Sequence, residues 1–577
     1  MRTMHTKQVM SAAVTCGLTF TSIALFSQQV SPVGPPVPIQ NLAPSNEELG
    51  ETFDPNTSFA TPGGVIIGQS YEGIDFLHSD CSCLPPDTNA AVGNNFVVET
   101  VNLHIRIFDK ATGSILSDQS LASFFGAFSA GDPYVVYDDT VDRWYVSAFD
   151  SDHSGLFLAV SVDGNPVHGF LSTYHFTDVG GFPDYQKSGF NKDAIFISYN
   201  DFGPSGGAAA TIVSIDKAAA LSGTLTYFIS HPLFQFRGMP PAQMHGDTAG
   251  GVEWFVSTDG TEAGGTTIRV TKLTNYLSNS PTFSYTSLPV PEYRYAQLAA
   301  QPGGVVTTFP NTTTTQVQYH KGHLVTAMAS STGSDNFMYP KGLFYQVDVS
   351  GVTPTLLKHG VIDPGPGVAV QMPSVDENSQ GTLGLTWMES STTEYLSMWV
   401  ATLDTAGNFA AAVAAPGGGF LFANNRIGDY STTVLDPDGR TFWSANEYIG
   451  GDGSSNFWRT QITSFTTVGA IQVPIDVRDS INSRSNGIIQ VAVLSSSTFN
   501  AATVDPLSVR FGPDGAQPVQ EARIHDANGD GLPDLALHFR TQQTGIECGH
   551  TSASLTGQTL DGQAIEGSGA FRTVGCK

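Results

Sequence analysis

The sequence has little charge, and positive charge is the scarcer kind. Charged residues make up 13% of the 577 residues, and 25 Lys and Arg stand against 52 Asp and Glu, which gives a formal net charge of -27. A chain with so few cations cannot neutralise a run of phosphates, so nucleic acids and anionic membranes are poor partners. Cations and neutral molecules are the more suitable ligands.

Long apolar stretches of helical periodicity are missing, and so are the common catalytic signatures. The chain has no GxSxG nucleophile elbow, no HExxH and no phosphate-binding glycine loop. It has instead 61 Gly, 33 Pro and 10% aromatic residues, a mixture typical of many short strands joined by turns. The length and the 40% of hydrophobic residues predict a large core and more than one domain.

One apolar run stands near the amino terminus, and it has the pattern of a secretory signal. Arg2 and Lys7 precede the apolar residues 9–26, so we interpret residues 1–27 as a signal peptide and the Pro- and Ser-rich residues 28–63 as a linker. A membrane anchor is the alternative, but the run is short and interrupted by Thr and Ser. The sequence therefore predicts an exported protein, secreted or periplasmic, without membrane insertion.

Cysteine is scarce, with five residues in all, one of them inside the predicted signal peptide. The remaining four fit an oxidising compartment and allow three pairings. Cys548 and Cys576 bracket the end of the chain, and we predict that they form a disulfide. Cys81 and Cys83 leave a local disulfide, two thiols or a metal site open; we favour the disulfide because no nearby histidine completes a ligand set.

An internal repeat organises most of the chain. Residues 426–465 contain a β-branched strand, a DPDG turn, an aromatic strand, a glycine-rich loop and a third strand, and six poorer copies precede them. Units of this length predict an all-β fold, a seven-bladed β-propeller over residues 64–466, with residues 64–76 completing the last blade. A β-helix or a pair of β-sandwiches is the alternative. The second strands align at Phe96, Tyr145, Phe196, Phe255, Leu324, Leu385 and Trp443.

Two resemblances carry this further. Residues 467–577 are similar to a small β-rich module found at the ends of many exported bacterial proteins, which implies a second, β-sandwich-like domain. Three copies resemble the repeats of a broad family of exported bacterial propeller proteins, mostly of unassigned function: PPDTNAAVGNNFVVETVNLHIRIFDKATG, GDPYVVYDDTVDRWYVSAF and IGDYSTTVLDPDGRTFWSANEY. Neither resemblance implies a particular activity.

Acidic residues gather at one end of the predicted inner strands. Antiparallel pairing places the start of a first strand and the end of a second strand on the same face. Asp87, Asp132, Asp184 and Asp429 begin four first strands, and Glu447 ends a second strand. The same face should hold Asp150, Asp201, Asp259 and Glu389, and among them the candidate ligand-binding residues Tyr185, Tyr430, Arg426, Asn446 and Trp387, together with Asp87.

Such a group of carboxylates supports three interpretations. Mutual repulsion can leave one carboxyl as general acid and another as base or nucleophile, as glycoside hydrolysis requires. Several carboxylates can also form a Ca²⁺ site, and Asp can simply cap backbone N–H groups in a tight loop. Asp429 and Glu447 are the predicted catalytic pair, with Asp184 and Asp132 as further candidates.

The predicted function is therefore that of an exported monomer acting on a polysaccharide or cell-surface glycan, as a glycoside hydrolase or, less well supported, a lyase. A non-catalytic glycan- or protein-binding adhesion protein is the alternative, and so is a scaffold within a larger surface assembly. Propellers serve all of these roles, so the fold does not decide between them.

The sharpest local motif lies near the carboxyl terminus. Asp526, Asn528, Asp530 and Asp534 stand at positions 1, 3, 5 and 9 of a loop with Gly at position 6, and the carbonyl of Leu532 is available at position 7. This spacing of oxygen ligands predicts a Ca²⁺ loop. An EF-hand would have Glu at position 12, where this chain has Leu, so the motif resembles the shorter loops of integrin-type propellers. An uncharged turn is the alternative.

Two histidines, His320 and His323, occur in the turn-like stretch YHKGHL. Only two residues separate them, which is a poor spacing for a metal site. We expect both to be solvated turn residues rather than ligands.

Overall fold

The computed structural model shows a chain built almost entirely of β-strands, as the sequence predicts. The predicted signal peptide and most of the predicted linker lie outside the described residues. Of the linker, only β1 (Glu51–Phe53) is described. The structure describes residues 51–53, 64–127, 129–150, 155–177, 180–203, 208–232, 238–258, 264–295, 298–308, 313–331, 338–405, 407–419, 426–450, 457–467, 471–496, 499–560 and 564–576.

Helices within these ranges are short. No helix in the described part of the chain combines the length and the apolarity needed to cross a bilayer. The helical segments are α1 (Leu121–Phe125), α2 (Lys217–Leu221) and 3₁₀ turns at Phe76–His78, Pro166–His168, Ala501–Thr503 and Thr541–Gln543.

The first three predicted copies each form a four-stranded antiparallel meander in chain order. Before them comes β2 (Val65–Asp75), which pairs not with its neighbours in sequence but with the last copy. The strands are β3 (Asn89–Val92), β4 (Phe96–Val101), β5 (His104–Asp109) and β6 (Ile115–Ser120); β7 (Gly131–Asp138), β8 (Arg143–Asp150), β9 (Gly155–Ser161) and β10 (Phe170–Phe176); and β11 (Phe182–Phe190), β12 (Ala194–Phe202), β13 (Ala208–Asp216) and β14 (Tyr227–Ser230).

The fourth and fifth copies meet through their inner strands, because β15 pairs in parallel with β21. On its other side, β15 pairs with β11 of the third copy at one residue. A hairpin of two extra strands separates the two copies in sequence. The strands are β15 (Ala242–Met244), β16 (Glu253–Thr258), β17 (Gly264–Thr274) and β18 (Thr282–Arg294); the inserted β19 (Leu298–Gln301) and β20 (Gly304–Thr308); and β21 (Val317–His320), β22 (His323–Ser330), β23 (Lys341–Asp348) and β24 (Thr355–Ile362).

The sixth copy is again a four-stranded meander, and the seventh has three strands of its own and takes β2 as its outer strand, in the order β2, β32, β31, β30. The all-β prediction is confirmed, whereas the number of blades and the domain boundaries stay predictions. The strands are β25 (Val368–Glu377), β26 (Leu383–Ser391), β27 (Ser397–Leu403) and β28 (Phe409–Ala415); the short β29 (Arg426–Ile427); and β30 (Thr432–Leu435), β31 (Phe442–Gly450) and β32 (Phe457–Thr467).

The core lies between adjacent sheets. Between the first two copies, for example, Val98 and Ile105 of one sheet pack with Trp144, Val146 and Phe157 of the next, all of them buried. Burying one such large apolar side chain contributes roughly 1.5 to 3 kcal/mol. Strands such as β9, β26 and β31 are buried along their whole length, because both faces of their sheets pack on neighbours.

The DPDG turn of the last copy shows how the sequence sets a strand boundary. Asp438 Oδ1 accepts the N–H groups of Arg440 at 2.7 Å and Thr441 at 2.8 Å, and Gly439 takes a left-handed backbone with φ of 74°. Asp436 receives the indole N–H of Trp443 at 2.8 Å. These bonds close the hairpin between β30 and β31 and so fix the register of the inner strand.

A second compact unit begins at Phe465 and also takes in short segments of the preceding chain. Its two four-stranded sheets share one core that includes Val491, Phe511, Leu537 and Leu555. Its strands are β33 (Ile471–Gln472), β34 (Ile475–Val477), β35 (Ser480–Asn482), β36 (Ile488–Val493), β37 (Val504–Phe511), β38 (Arg523–His525), β39 (Asp534–Arg540), β40 (Ser552–Thr559), β41 (Ala564–Ala570) and β42 (Arg572–Val574).

Both predicted cysteine pairs stand at disulfide distance. Cys548 and Cys576 have Cα atoms 5.7 Å apart, and Cys81 and Cys83 have Cα atoms 5.1 Å apart. Both separations lie within the range that a disulfide requires. The two pairs are compatible with an oxidising compartment.

Candidate functional site

The starts of four inner strands have an unusual backbone. Asp87, Asp132, Tyr185 and Asp429 all take positive φ values, of 56°, 44°, 58° and 67°. The registers of β7 against β8 and of β11 against β12 shift at these points. A bulge changes the direction of the side chains that follow it, and left-handed backbone costs energy for any residue with a Cβ. Four strained positions at equivalent places therefore mark this end of the inner strands as a candidate site.

The acidic residues predicted for this end do meet. Asp132 hydrogen-bonds to both Asp87 and Asp184, and Asp429 forms an ion pair with Arg426. Two carboxyl oxygens can hydrogen-bond to each other only when one of them carries a proton. We call these five residues the acid cluster, and the contacts of Asp132 with two other carboxyl groups favour a protonated group beside a charged one.

Backbone and amide groups hold two of the acids in place. Asn102 donates from Nδ2 to Asp87 Oδ2, and its Oδ1 accepts the N–H of Asp132 at 3.0 Å. The N–H of Tyr185 donates to Asp132 Oδ2 at 3.3 Å. Asn102 thereby ties the first copy to the second, and Asp132 ties the second to the third.

Burial controls the protonation of the cluster. The pKa of Asp184 is raised to about 7 and that of Asp429 to about 8. Burial is the largest cause of both shifts; the charge of Asp132 also raises both pKa values, and the charge of Arg426 lowers them. Burial also raises the pKa of Asp87 well above its usual range, and that of Asp132 above its own. Protonated and ionised carboxyl groups therefore coexist in the cluster near neutral pH.

Glu447 lies beneath the cluster rather than in it. It is fully buried, and its Oε2 accepts the N–H of Gly428 at 2.8 Å while its Oε1 has no hydrogen-bond partner. Burial, with the charge of Asp429, raises the pKa of Glu447 to about 8. The predicted pair Asp429 and Glu447 is thus brought together, with Glu447 placed to position the backbone of its partner.

A lysine that the sequence analysis missed completes the centre. The rings of Tyr185 and Tyr430 stack at 5.2 Å, and Lys187 Nζ lies 3.7 Å and 3.9 Å from their centroids. Burial lowers the pKa of Lys187 well below its usual range, although Asp429 and Asp132 oppose this. Tyr430 also donates its hydroxyl to the carbonyl of Gln186 at 3.2 Å. The predicted tyrosines therefore pack against the amino group of Lys187.

Two other predicted ligand-binding residues are buried away from the cluster. Asn446 is fully buried, donates to the carbonyl of Met372 at 3.3 Å and accepts the N–H of Glu447 at 2.9 Å. Trp387 is fully buried, donates to Glu389 Oε2 at 3.1 Å and lies parallel to Trp399. The structure does not bring either side chain to the surface of the cluster.

The remaining acids of this face are engaged locally or lie outside the described residues. Asp150 pairs with His175 at 2.9 Å, and Asp201 Oδ1 accepts the N–H of Gly181 at 2.7 Å. Asp259 lies outside the described residues. Asp150 and Asp201 thus each bond to a residue of their own copy.

Solvent reaches the cluster on one side only. Asp132 and Asp184 are half-buried and the Arg426 side chain is 38% exposed, whereas Asp87 and Asp429 are buried. The backbone of Arg426 is fixed by parallel pairing of β29 with β20, the second strand of the inserted hairpin. A ligand can therefore reach Asp132, Asp184 and Arg426 first.

Backbone N–H groups of the predicted Ca²⁺ loop donate hydrogen bonds to carboxylates of the same loop. Asp526 accepts three N–H groups from within the loop, and Asp530 accepts the N–H of Leu532 at 2.8 Å. The buried Asp534 has both oxygens engaged, by Ser495 and Ala527 at 2.8 Å each. The exposed oxygens of Asp526, Asn528 and Asp530 have the chemistry that Ca²⁺ prefers, whereas Asp534 is committed to the strand that it begins.

Metal sites of other kinds are not evident. Within the described ranges, no group of three or more His, Cys, Asp or Glu side chains is arranged to hold a metal ion. The prediction that His320 is a solvated turn residue is wrong, because its side chain is only 13% exposed and its Nε2 lies 2.8 Å from the buried Asp376. His323 is 36% exposed and pairs with Glu377.

Comparisons with known proteins bear on the fold alone. No protein-family model matches the chain, and no curated protein matches it. Similar solved structures include a protein of unknown function from Dyadobacter fermentans, with 9% identity, 70% of this chain and 99% of that one covered, and a TM-score of 0.34. A neuraminidase-like protein of subtype N11 from A/flat-faced bat/Peru/033/2010 (H18N11) has 10% identity, coverage of 63% and 94%, and a TM-score of 0.32.

A thermostable family-43 glycoside hydrolase is also similar, with 12% identity, coverage of 59% of this chain and 93% of that one, and a TM-score of 0.27. The similar structures are β-propeller-like proteins, and membership of one particular family stays a prediction. Identities of this order carry no information about activity.

Proposed function

We propose that the acid cluster is a general acid–base site that acts on a polysaccharide. The observation that carries the proposal is the hydrogen-bonded pair Asp132 and Asp184, half-buried at the opening of the cluster, with a pKa of about 7 for Asp184. Two carboxyl groups that share one proton can give a proton to a leaving group and take one from water.

The roles follow from the surroundings of each acid. Asp184 holds the shared proton near neutral pH and acts as the acid, while Asp132, beside the positive charge of Arg426, is the better base. Carboxyls in direct contact are closer than the roughly 5 to 9.5 Å that separates the two carboxyls of a glycosidase. Asp429, on which the charge of Asp184 acts, is buried and cannot serve as the second carboxyl of a glycosidase, so the pair Asp132 and Asp184 favours proton transfer at one point of the substrate.

The test is a screen of the purified protein against plant, algal and microbial polysaccharides. Hydrolysis yields new reducing ends, and elimination yields unsaturated products, so both are followed. Products that form with the wild type and are lost in Asp184→Asn support the proposal. Wild-type protein that releases no product from any substrate, with retarded migration in gels containing polysaccharide, would establish the non-catalytic alternative.

That alternative, a glycan- or protein-binding protein, is favoured by one observation. Asp87, Asp429 and Glu447 have 2%, 5% and 0% exposure, so most of the acidic face cannot touch a ligand. In this case Asp132, Asp184 and Arg426 bind rather than react, and Arg426→Gln weakens retention in the gel while the protein shows no turnover.

We further propose that the protein is exported and that the loop from Asp526 to Asp534 binds Ca²⁺ through its three exposed side chains. The two cysteine pairs at disulfide distance support export, since they form in oxidising compartments. Three oxygen-bearing side chains on one exposed loop support the ion, because it relieves their mutual repulsion.

Calorimetric titration with Ca²⁺ tests the loop. We expect a Kd of about 10⁻⁴ to 10⁻³ M, the range of extracellular modules, and loss of the binding heat in Asp526→Asn with Asp530→Asn. Asp505→Asn, in the same compact unit but outside the loop, is the control and should bind as the wild type does. Equal binding by all three proteins would show that any calcium lies elsewhere.

A further inference from the structure

The inner strands have a second end, and a cavity of about 440 Å³ lies there. Asp132 stands at the start of β7 and Asp139 follows its end, a path of about 20 Å at 3.3 Å per residue. Residues that follow the ends of other inner strands line the same cavity, among them His245, His320 and Asp436. The cavity is therefore separate from the acid cluster.

Two histidines face each other in this cavity. Their rings are parallel within 7° with centroids 5.3 Å apart. His245 Nδ1 lies 3.0 Å from Asp139 Oδ1, and His320 Nε2 lies 2.8 Å from Asp376 Oδ1. Each imidazole is thus oriented by a carboxylate from a different copy, an arrangement that fixes which nitrogen remains for other contacts.

The carboxylates around the cavity already have partners. Asp139, Asp247, Asp376 and Asp436 each accept hydrogen bonds from fixed donors, so their oxygens are not the groups in need of a ligand. Besides the two histidines, the donors are Gly246 N to Asp139; Ala249 N and Lys192 N to Asp247; Leu435 N and Glu377 N to Asp376; and Lys110 Nζ and Trp443 Nε1 to Asp436.

Two nitrogen groups at the cavity, by contrast, still have hydrogen bonds to donate. His245 Nε2 is buried without a hydrogen-bond partner, and Lys321 Nζ makes a single contact, 3.5 Å from the carbonyl of Ser379. Burial alone would lower the pKa of His245, but its bond to Asp139 and the charges of Asp139, Asp376 and Asp138 raise it above its ordinary value. Protonation of His245 gives the unpartnered Nε2 an N–H to donate, and the bond to Asp139 favours that form.

We propose that this cavity binds the oxyanion of a small ligand, a carboxylate, sulfate or phosphate group. Its acceptors are satisfied and its unsatisfied groups are the imidazolium of His245 and the ammonium of Lys321 at the rim. An oxyanion accepts charge-assisted hydrogen bonds from both nitrogen groups, and such bonds are stronger than those that a neutral hydroxyl accepts. The volume suits a group the size of one acidic sugar or a smaller ion.

Isothermal titration with sodium sulfate, inorganic phosphate, galacturonate and galactose tests the proposal. We expect binding of at least one oxyanion and none of galactose at the same concentrations. Tightest binding of galacturonate would identify an acidic sugar as the source of the oxyanion, and tightest binding of sulfate or phosphate would identify a free ion. Absence of binding by every anion, or equal binding of galactose and galacturonate, would overturn the proposal.

Variants locate the site. His245→Gln should weaken oxyanion binding at least tenfold, and Lys321→Gln should weaken it severalfold. His323→Gln is the control, because His323 pairs with Glu377 outside the cavity, and it should bind as the wild type does. If His245→Gln does not fold, the binding affinity of Lys321→Gln decides, because Lys321 is exposed and its replacement should not disturb folding. Unchanged binding in Lys321→Gln and in any folded His245→Gln would contradict the assignment. Asp184→Asn should keep oxyanion binding, so the two sites can fail independently.

Discussion

Asp184→Asn lowers turnover of the polysaccharide substrate by about 10²- to 10⁴-fold at neutral pH, the usual contribution of one general acid or base. Burial raises the pKa of Asp184 to about 7, so this group still holds a proton where an exposed carboxyl has lost it. An amide keeps the size and can still donate a hydrogen bond to Asp132, but it cannot release a proton. Initial rates of product formation give the effect.

The loss should fall on kcat more than on KM, since the proton moves only in the transition state. Asp348→Asn, at the last residue of β23 and outside the acid cluster, is the matched control and should keep full activity. Equal KM with a large fall in kcat supports acid–base chemistry. A rise in KM with unchanged kcat would mean that Asp184 only holds the substrate.

The second large effect concerns stability, which should fall as the pH rises from about 5 to about 9. Burial raises the pKa of Asp429 and Glu447 to about 8 each, while the unfolded chain has values of about 4. Between these values the folded state binds more protons than the unfolded state, so the free energy of unfolding decreases with pH. The stabilisation is complete below about pH 4 and is lost as the pH passes through about 8. Each group contributes up to roughly 1.4 kcal/mol per pH unit.

Glu447→Gln isolates one of these contributions. Glutamine keeps the oxygen that accepts the N–H of Gly428 and removes the buried charge, so the variant should be more stable than the wild type above about pH 8. Denaturant unfolding at intervals across the range measures the slope. Asp348→Asn should leave it unchanged, because backbone and hydroxyl donors lower the pKa of Asp348 and it titrates below this window. A wild-type stability that is flat or rises from pH 5 to 8 would contradict the prediction.

Much of the fold follows from local chemistry. The turn of Asp438 and Gly439, the β-branched strand before it and the aromatic strand after it are sufficient to predict a hairpin, and the repeat extends that hairpin to the chain. Pairing of β2 with the last copy could be expected because its alternating residues need a partner. The inserted hairpin of β19 and β20 has no counterpart in the other copies, and its sequence gives no sign of its pairing with Arg426.

The candidate site could be predicted in part. Alignment of the inner strands finds Asp87, Asp132 and Asp429 because they occupy the same place in their copies, whereas Asp184 stands one residue before the equivalent Tyr185 and still reaches the cluster. It misses Lys187, since the shift of register after Asp184 changes which side chains face inward, and no sequence pattern reveals that shift. Trp387 and Asn446 show the opposite error. They are polar or aromatic residues near the correct face whose hydrogen-bond partners are buried, Glu389 in the same strand for Trp387 and Met372 of the neighbouring sheet for Asn446.

The second cavity was not predictable. His245 and Asp139 are 106 positions apart, and His320 and Asp376 are 56 apart. Only the closed ring of inner strands brings the four side chains to one place. The sequence shows a histidine in a turn, and such a residue is usually exposed.

Infrared difference spectroscopy tests the central claim most directly, which is that the acid cluster holds protons at neutral pH. The carbonyl stretch of protonated carboxyl groups is followed from about pH 4 to pH 9 in the wild type, Asp184→Asn and Asp348→Asn. The structure predicts a protonated band that persists at pH 7 and is weaker at that pH in Asp184→Asn than in the wild type and Asp348→Asn. Loss of the whole band near the ordinary pKa of about 4 would contradict it.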